Sequence, residues 1–278
     1  MQYVLTERRG DVWVVTINRP EVLNAVDRPT AQALYEAFIA FAEDDSLAVA
    51  ILAGSGGTFC AGADLKAMAD AVSSGAIADG RESRTNRLDT DMDAPGPMGP
   101  TRLDLPKPVI AAIDGHCVAG GLELACWADL RVASADAKLG VLCRRRGVPL
   151  IDGGTVRLPA LIGLSRASDL MLTGRLIDAR EAHALGLVNV LVPPSTSTLD
   201  AALGLAQQIA SHPRRCMLND RQSAREATLG GGPTGGAKWS VSGREREAMA
   251  REFELGLDSL TAMGAEVVAF AQRSKSKL

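Results

Sequence analysis

Apolar and polar residues alternate from Tyr3 to Glu7 and again from Val12 to Asn18, the period-two pattern of strands with one buried face. Arg9-Gly10-Asp11 supplies the turn between them, so the chain opens with a hairpin. A polar stretch with two prolines (Asn18 to Pro29) follows. Thr30 then stands as the cap of a helix with Leu34, Ala37, Phe38 and Phe41 at helical spacing. Leu47 to Ala53 reads as a buried strand, and the loop from Gly54 to Leu65 carries four glycines before a helix opens near Leu65. Residues 67 to 107 are polar and then proline-rich; no element is placed there, and the segment reads as a long, mobile excursion.

Order returns at the strand Val109 to Ile113, followed by the turn Asp114-Gly115 and by Ala119-Gly120-Gly121 leading into the helix LELACWADL. Strand, glycine-rich loop, helix has then occurred twice. A short strand (Leu130 to Ala133), a loop from Gly140 to Gly154, helices from about Thr155, over Ser165 to Leu172 and over Asp178 to Leu185, and a strand at Val190 to Val192 complete an α/β core. From Leu199 the strand signals stop. Leu199, Leu203, Ala206 and Ile209 mark one helix, and Phe253, Leu257, Leu260, Val267 and Phe270 another. The intervening GGGPTGGAK is not a phosphate loop, because Lys238 comes one residue late, Trp239 follows it and no strand precedes it; it reads as a linker.

Composition narrows the function. Hydrophobic residues are 46% and charged residues 23% of 278, enough to bury a sizeable core. A net charge of −3 lacks the basic footprint of a nucleic-acid binder, so no nucleic-acid partner is expected. No apolar run reaches the roughly 18 residues of a membrane helix, and the N-terminus carries neither a signal h-region nor a transit-peptide pattern. Five cysteines (Cys60, Cys117, Cys126, Cys143, Cys216) without CxxC spacing, and three histidines (His116, His183, His212) without metal spacing, give no disulfide framework and no expected metal. Two glycine loops, each opening a helix, can aim backbone N–H groups at one point and form an oxyanion hole; simple turns account for the same glycines.

NRPEVLNAVD (18 to 27), GTFCAGADLKAM (57 to 68), KPVIAAIDGHCVAGGLELACWADLRVAS (107 to 134) and GVPLIDGGTVRLPALIGLSRASDLMLTGRLIDAREAHALGLVNVLVP (147 to 193) closely resemble the crotonase (enoyl-CoA hydratase/isomerase) superfamily, over about residues 3 to 195. The resemblance implies an α/β spiral of ββα units with a C-terminal helical region, divided here as an acyl-CoA-binding core (1–198) and a helical part (199–278) that serves oligomerisation and covers the site. It implies an acyl-CoA thioester as substrate, coenzyme A being part of that substrate so that no separate cofactor is needed, and a homotrimer or dimer of trimers. It places the two oxyanion donors at the backbone N–H groups of Ala63 and Gly120, lines the CoA path with Ala25, Ala61, Asp64 and Leu65, and makes Glu123 the first catalytic glutamate.

Each assignment has a plainer counterpart. Glu123 can simply complement a helix dipole. Cys143 falls where the family's second glutamate belongs; a thiol is mostly protonated at neutral pH and cannot activate water as a carboxylate does, and it can equally be a small buried hydrophobe. Asp152 is the nearest replacement carboxylate, or the N-cap of the helix from Thr155. Arg144-Arg145-Arg146 can pair with Asp152, meet CoA phosphates or a neighbouring subunit, or be solvated. Three activities remain open: an enoyl-CoA hydratase-like lyase; a single-carboxylate reaction such as isomerisation, decarboxylation or thioester hydrolysis; and a catalytically weak acyl-CoA binding protein. Ser276-Lys277-Leu278 matches a peroxisomal address in a eukaryotic source, with a cytoplasmic protein expected otherwise.

Overall fold

The computed structural model describes residues 2–73, 84–230 and 239–262. Val267, Phe270, the linker from 231 to 238 and the terminal Ser276-Lys277-Leu278 lie outside the described residues. The elements run in chain order as β1 (Val4–Arg9), β2 (Val12–Ile17), α1 (Arg28–Glu43), β3 (Val49–Gly54), α2 (Leu65–Ser73), β4 (Val109–Ile113), β5 (His116–Val118), α3 (Gly120–Trp127), β6 (Leu130–Ser134) and β7 (Lys138–Gly140). After these come α4 (Gly154–Ile162), α5 (Leu164–Thr173), β8 (Leu176–Asp178), α6 (Ala179–Ala184), β9 (Val190–Val192), α7 (Thr198–Ala210), α8 (Arg214–Leu229) and α9 (Gly243–Ala262).

Strands β1 and β2 form the expected hairpin and then feed a sheet of order β1-β2-β3-β4-β6-β9 in which every pair after the first is parallel. Its central strands are covered on both faces. Ala50 and Leu52 of β3 join the larger core cluster with Phe38, Phe41 and Leu124, while Val49 and Ile51 join a second cluster with Ala202, Leu203 and Ala206 of α7. Burial on both faces explains why β3 and β4 read as uninterrupted apolar runs and not as alternation. A smaller sheet, β5-β7-β8, stands beside the first.

The structure corrects three expectations. The cap of α1 is Asp27, whose carboxylate accepts from the Thr30 N–H at 3.1 Å and from the Thr30 hydroxyl; the helix starts at Arg28 with Pro29 in its first turn, where a missing N–H costs nothing. In the proline-rich excursion, α2 continues to Ser73, and from residue 84 onward the described part is packed: Met98, Thr101, Arg102, Leu103 and Leu105 are buried. Helix α8 was not expected. Its sequence has no apolar stripe and none of its residues is buried; polar anchors hold it instead, with Arg221 bonded to Asp129 at 2.7 Å and Arg225 to Asp104 at 3.1 Å.

Candidate active site

The two glycine loops meet. An isolated bridge pairs Cys60 with Cys117, and Cys60 N–H donates to the His116 carbonyl while Val118 N–H donates to the Cys60 carbonyl. This contact explains two glycines. A Cβ on Gly121 would lie 2.2 Å from the Cys60 carbonyl oxygen, and one on Gly62, already at φ +99°, would lie 2.9 Å from both the Gly120 nitrogen and the Ala119 Cβ. Ala119 itself holds φ 53° and ψ −127°, a strained backbone for a residue with a side chain, immediately before the first residue of α3.

The loop from Cys60 to Leu65 is propped from behind by residues 23 to 26. Ala61 N–H donates to Leu23, Val26 N–H to Gly62, and Asp64 N–H to Val26, at 2.8 to 3.1 Å. Between them, the Ala63 N–H donates to no backbone carbonyl among the described residues, and neither does the Gly120 N–H. Both residues line the same cavity of about 270 Å³. Ala61, Leu65, Glu123, Cys143 and Asp152 line it too, so the fold brings seven of the nine singled-out residues together.

Ala25 and Asp64 do not line this cavity. The Asp64 carboxylate accepts from Arg19 at 2.9 Å and from the Lys66 and Ala67 N–H groups at 3.1 Å, so it caps α2 and braces the loop. Ala25 is buried, and its carbonyl accepts from Arg19. Both therefore support the wall without forming it.

Glu123, in the first turn of α3, is buried and accepts at Oε1 from the Asp152 N–H at 2.9 Å and the Gly154 N–H at 3.0 Å. The start of α4 therefore holds it through two backbone N–H groups. Burial and the charges of Asp152 and Glu252 push its carboxyl well above the ordinary carboxylate range. Asp152 does not cap α4. Its carboxylate reaches the other way, accepting from the Met98 N–H at 3.0 Å and the Thr101 hydroxyl, and so anchors the 96–101 loop; burial raises it as well, against the lowering pull of those donors and of Arg102 and Arg157. The residue at the cap position is Gly153, at φ 88°.

Glu252 of α9 was missed by sequence reasoning. Its two oxygens accept from the Gly153 N–H at 2.6 Å and the Thr155 N–H at 2.7 Å, and burial raises this carboxyl as well. Nothing in the local pattern of a polar helix marks a glutamate that acts 97 residues away. Burial and mutual proximity raise all three carboxyls around this one turn, so each favours its protonated form more than an exposed carboxyl does.

Cys143 sits on a 3-10 helix, Leu142–Arg146, with its thiol pushed up to about 12 by burial. It is a protonated wall element, not a base. Arg145 and Arg146 lie at the cavity edge, Arg144 and Arg145 bond the Met171 and Gly174 carbonyls, and Asp152 takes no ion pair from any of them. The remaining wall is mostly aliphatic and thioether, including Met68, Leu88, Met98, Leu142, Ile151 and Leu260, with the amide of Asn86 as its one further polar side chain among the described residues. Among the described residues no group of His, Cys, Asp or Glu side chains is arranged to hold a metal ion.

Known proteins share this chain's pattern. The family model described as enoyl-CoA hydratase/isomerase matches residues 7–228. The chain is 38% identical to a mevalonyl-coenzyme A hydratase of Beauveria bassiana over 72% of this chain and 70% of that protein. It is 36% identical to the enoyl-CoA hydratase EchA19 of Mycobacterium tuberculosis over 75% and 74% of the two chains. Among solved structures, a carnitinyl-CoA dehydratase from Mycobacterium avium superposes with a TM-score of 0.78 at 30% identity, covering 98% of this chain and 96% of that one. With the match extending over most of the chain and through both loops that build the cavity, this protein belongs to the enoyl-CoA hydratase/isomerase family.

Proposed function

We propose that this protein is an acyl-CoA hydratase, adding water across the double bond of a 2-enoyl thioester or removing it in the reverse direction. The observation that carries the reading is that Ala63 and Gly120, whose N–H groups donate to no backbone carbonyl among the described residues, line one cavity with the buried Glu123. The thioester oxygen accepts from both N–H groups, which stabilise the charge that moves onto it as an enolate forms, an effect worth about 3–4 kcal/mol per donor. Water oxygen bonds to Cβ, one water proton passes to the ionised Glu123 carboxylate, and the carboxylic acid so formed gives that proton to Cα as the enolate collapses, which returns Glu123 to its starting form. A carboxyl held above its ordinary range by burial and by the neighbouring carboxyls takes up a proton more readily than an exposed glutamate, which suits that exchange. The relatives named as hydratases and dehydratases support this assignment.

The aliphatic wall favours an apolar acyl group, and Arg145 and Arg146 at the edge suit the phosphates of CoA. Leu164 and Leu172 of α5, 71% and 80% exposed, supply apolar surface for assembly into a homotrimer or dimer of trimers.

Cys143 favours a second reading. With a thiol in place of a second carboxylate, Glu123 or Asp152 acting alone would suit migration of a double bond, decarboxylation or thioester cleavage better than activation of water. A panel of CoA thioesters followed by mass spectrometry separates the two: a gain of one water establishes hydration, whereas an unchanged mass with a moved double bond, loss of carbon dioxide or release of free CoA establishes the alternative.

A further inference from the structure

The start of α4 is gripped from two sides. From α3, Glu123 accepts at Oε1 from the Asp152 and Gly154 N–H groups; from α9, Glu252 accepts from Gly153 and Thr155. The four consecutive N–H groups of residues 152 to 155 are thus divided alternately between two buried carboxylates, and moving one grip moves the other. Helix α9 is itself fixed to this region. Arg157 of α4 bonds Glu245 at 2.8 Å with both side chains buried, Arg225 of α8 approaches the same Glu245 at 3.7 Å, and Phe253 stacks under the Arg102 guanidinium at 4.7 Å.

We propose that Glu252 is a positioning residue for Glu123, setting the pose and proton affinity of the acid/base carboxylate from a helix that contributes no group to the reaction. This rests on the reading of Glu123 as the acid/base. The geometry leaves few other controls. The groups facing Glu123 are Asp152 on the turn, Glu252 on α9, the Cys143 thiol on its 3-10 helix and the Cys126 thiol on α3. The cations Arg102 and Arg157 act on Asp152, and Arg157 is already committed to Glu245. Glu252 is thus a buried carboxyl holding the N–H groups that alternate with those held by Glu123, and it is contributed by a distant part of the chain.

The test compares E252Q, which keeps an acceptor and removes the ionisable carboxyl, with E252D, which keeps the carboxyl on a side chain one methylene too short to hold both N–H groups. Isotope-edited infrared titration of the Glu123 carboxyl, identified by its loss in E123Q, reads proton affinity without turnover. The expected result for E252Q is a midpoint lower by about one pH unit, a tenfold fall in affinity, with the acidic limb of the hydration rate displaced equally. For E252D the expected result is a kcat lower by about 10–100-fold with KM within about twofold, the signature of a misplaced group. A Glu123 midpoint unchanged in folded E252Q overturns the proposal, and so does a wild-type kcat in E252D, which also decides the matter if E252Q does not fold. Should the wild-type protein hydrate no thioester, the infrared arm still decides the proposal, and the failure belongs to the assigned reaction.

Discussion

Asp152 and Glu123 are joined through the backbone: the Asp152 N–H donates to Glu123 Oε1 at 2.9 Å, while the Asp152 carboxylate turns to the Met98 N–H and Thr101. The same residue therefore locates the acid/base group with its main chain and anchors the cavity wall with its side chain. Two kinds of damage follow from altering it, and they can be told apart. Asp152→Asn keeps an acceptor for Met98 and is expected to hold most of the stability, whereas Asp152→Ala leaves buried donors unpaired and should cost about 1–3 kcal/mol. If the carboxyl takes part in proton transfer, both variants lose turnover; if it only anchors the 96–101 loop, Asn retains it. Thermal melts and rates on the pair decide.

Glu123→Gln should lower kcat for hydration by about 10²–10⁴-fold with little change in KM, since one positioned acid/base group is lost and the thioester contacts stay. Steady-state kinetics on the thioester identified by mass spectrometry is the check, and a kcat within a few fold of wild type would show that another group carries the proton.

The same variant has a second readout. The folded-state pKa of Glu123 is raised above 4.5, so the folded protein holds a proton that the unfolded chain has already released. Its contribution to stability is fully present below that value and is lost as pH rises from 4.5 through the raised folded value. Glu123→Gln removes this titration. Denaturant melts from pH 4.5 upward should show stability falling less steeply in the variant than in the wild type, and parallel curves would contradict the raised value.

Gly120→Pro deletes one N–H at the first position of α3, a place where helices accept proline. An added Cβ would also press on the Met98 sulfur at 2.7 Å, so Gly120→Ala serves as the control that shares the crowding but keeps the donor. The expected outcome is a loss of about 10²–10³-fold in kcat for the proline variant beyond that of the alanine variant. Equal losses in the two would place the effect on Met98 and not on the N–H.

Cys143→Glu introduces a further carboxylate into the cavity wall that Glu123 and Asp152 already line. If hydration is limited by poor activation of water, this change should raise kcat; a crystal structure showing the new side chain in the cavity with no gain in rate would show that the site is built for single-carboxylate chemistry.

Much of this protein is determined by local sequence. The hairpin, the apolar runs of β3 and β4, the loops before α2 and α3, and the approximate bounds of α4 to α7 all follow from period, turn residues and burial, because each depends on neighbours within one element. Ala61, Ala63, Leu65, Gly120, Glu123 and Cys143 are singled out through the resemblance to the crotonase superfamily, and Asp152 as the nearest carboxylate to Cys143; the structure places all seven around one cavity. The strands β5, β7 and β8, three residues each, are too short to carry a period and exist because partners far along the chain pair with them. Helix α8 has no apolar face to read and is fixed by ion pairs to Asp104 and Asp129. The proline-rich segment around Met98 looks irregular in one dimension and is ordered by the Asp152 carboxylate across 54 residues. Sequence also could not assign Asp64 and Asp152 their partners: the resemblance puts Asp64 along the CoA path, and it caps α2, while Asp152, read as a possible cap of α4, leaves that position to Gly153 and reaches Met98 and Thr101. Glu252 is the clearest case. A glutamate in a polar helix reads as solvated, and only docking of α9 against the start of α4 removes it from water and gives it the Gly153 and Thr155 N–H groups to hold.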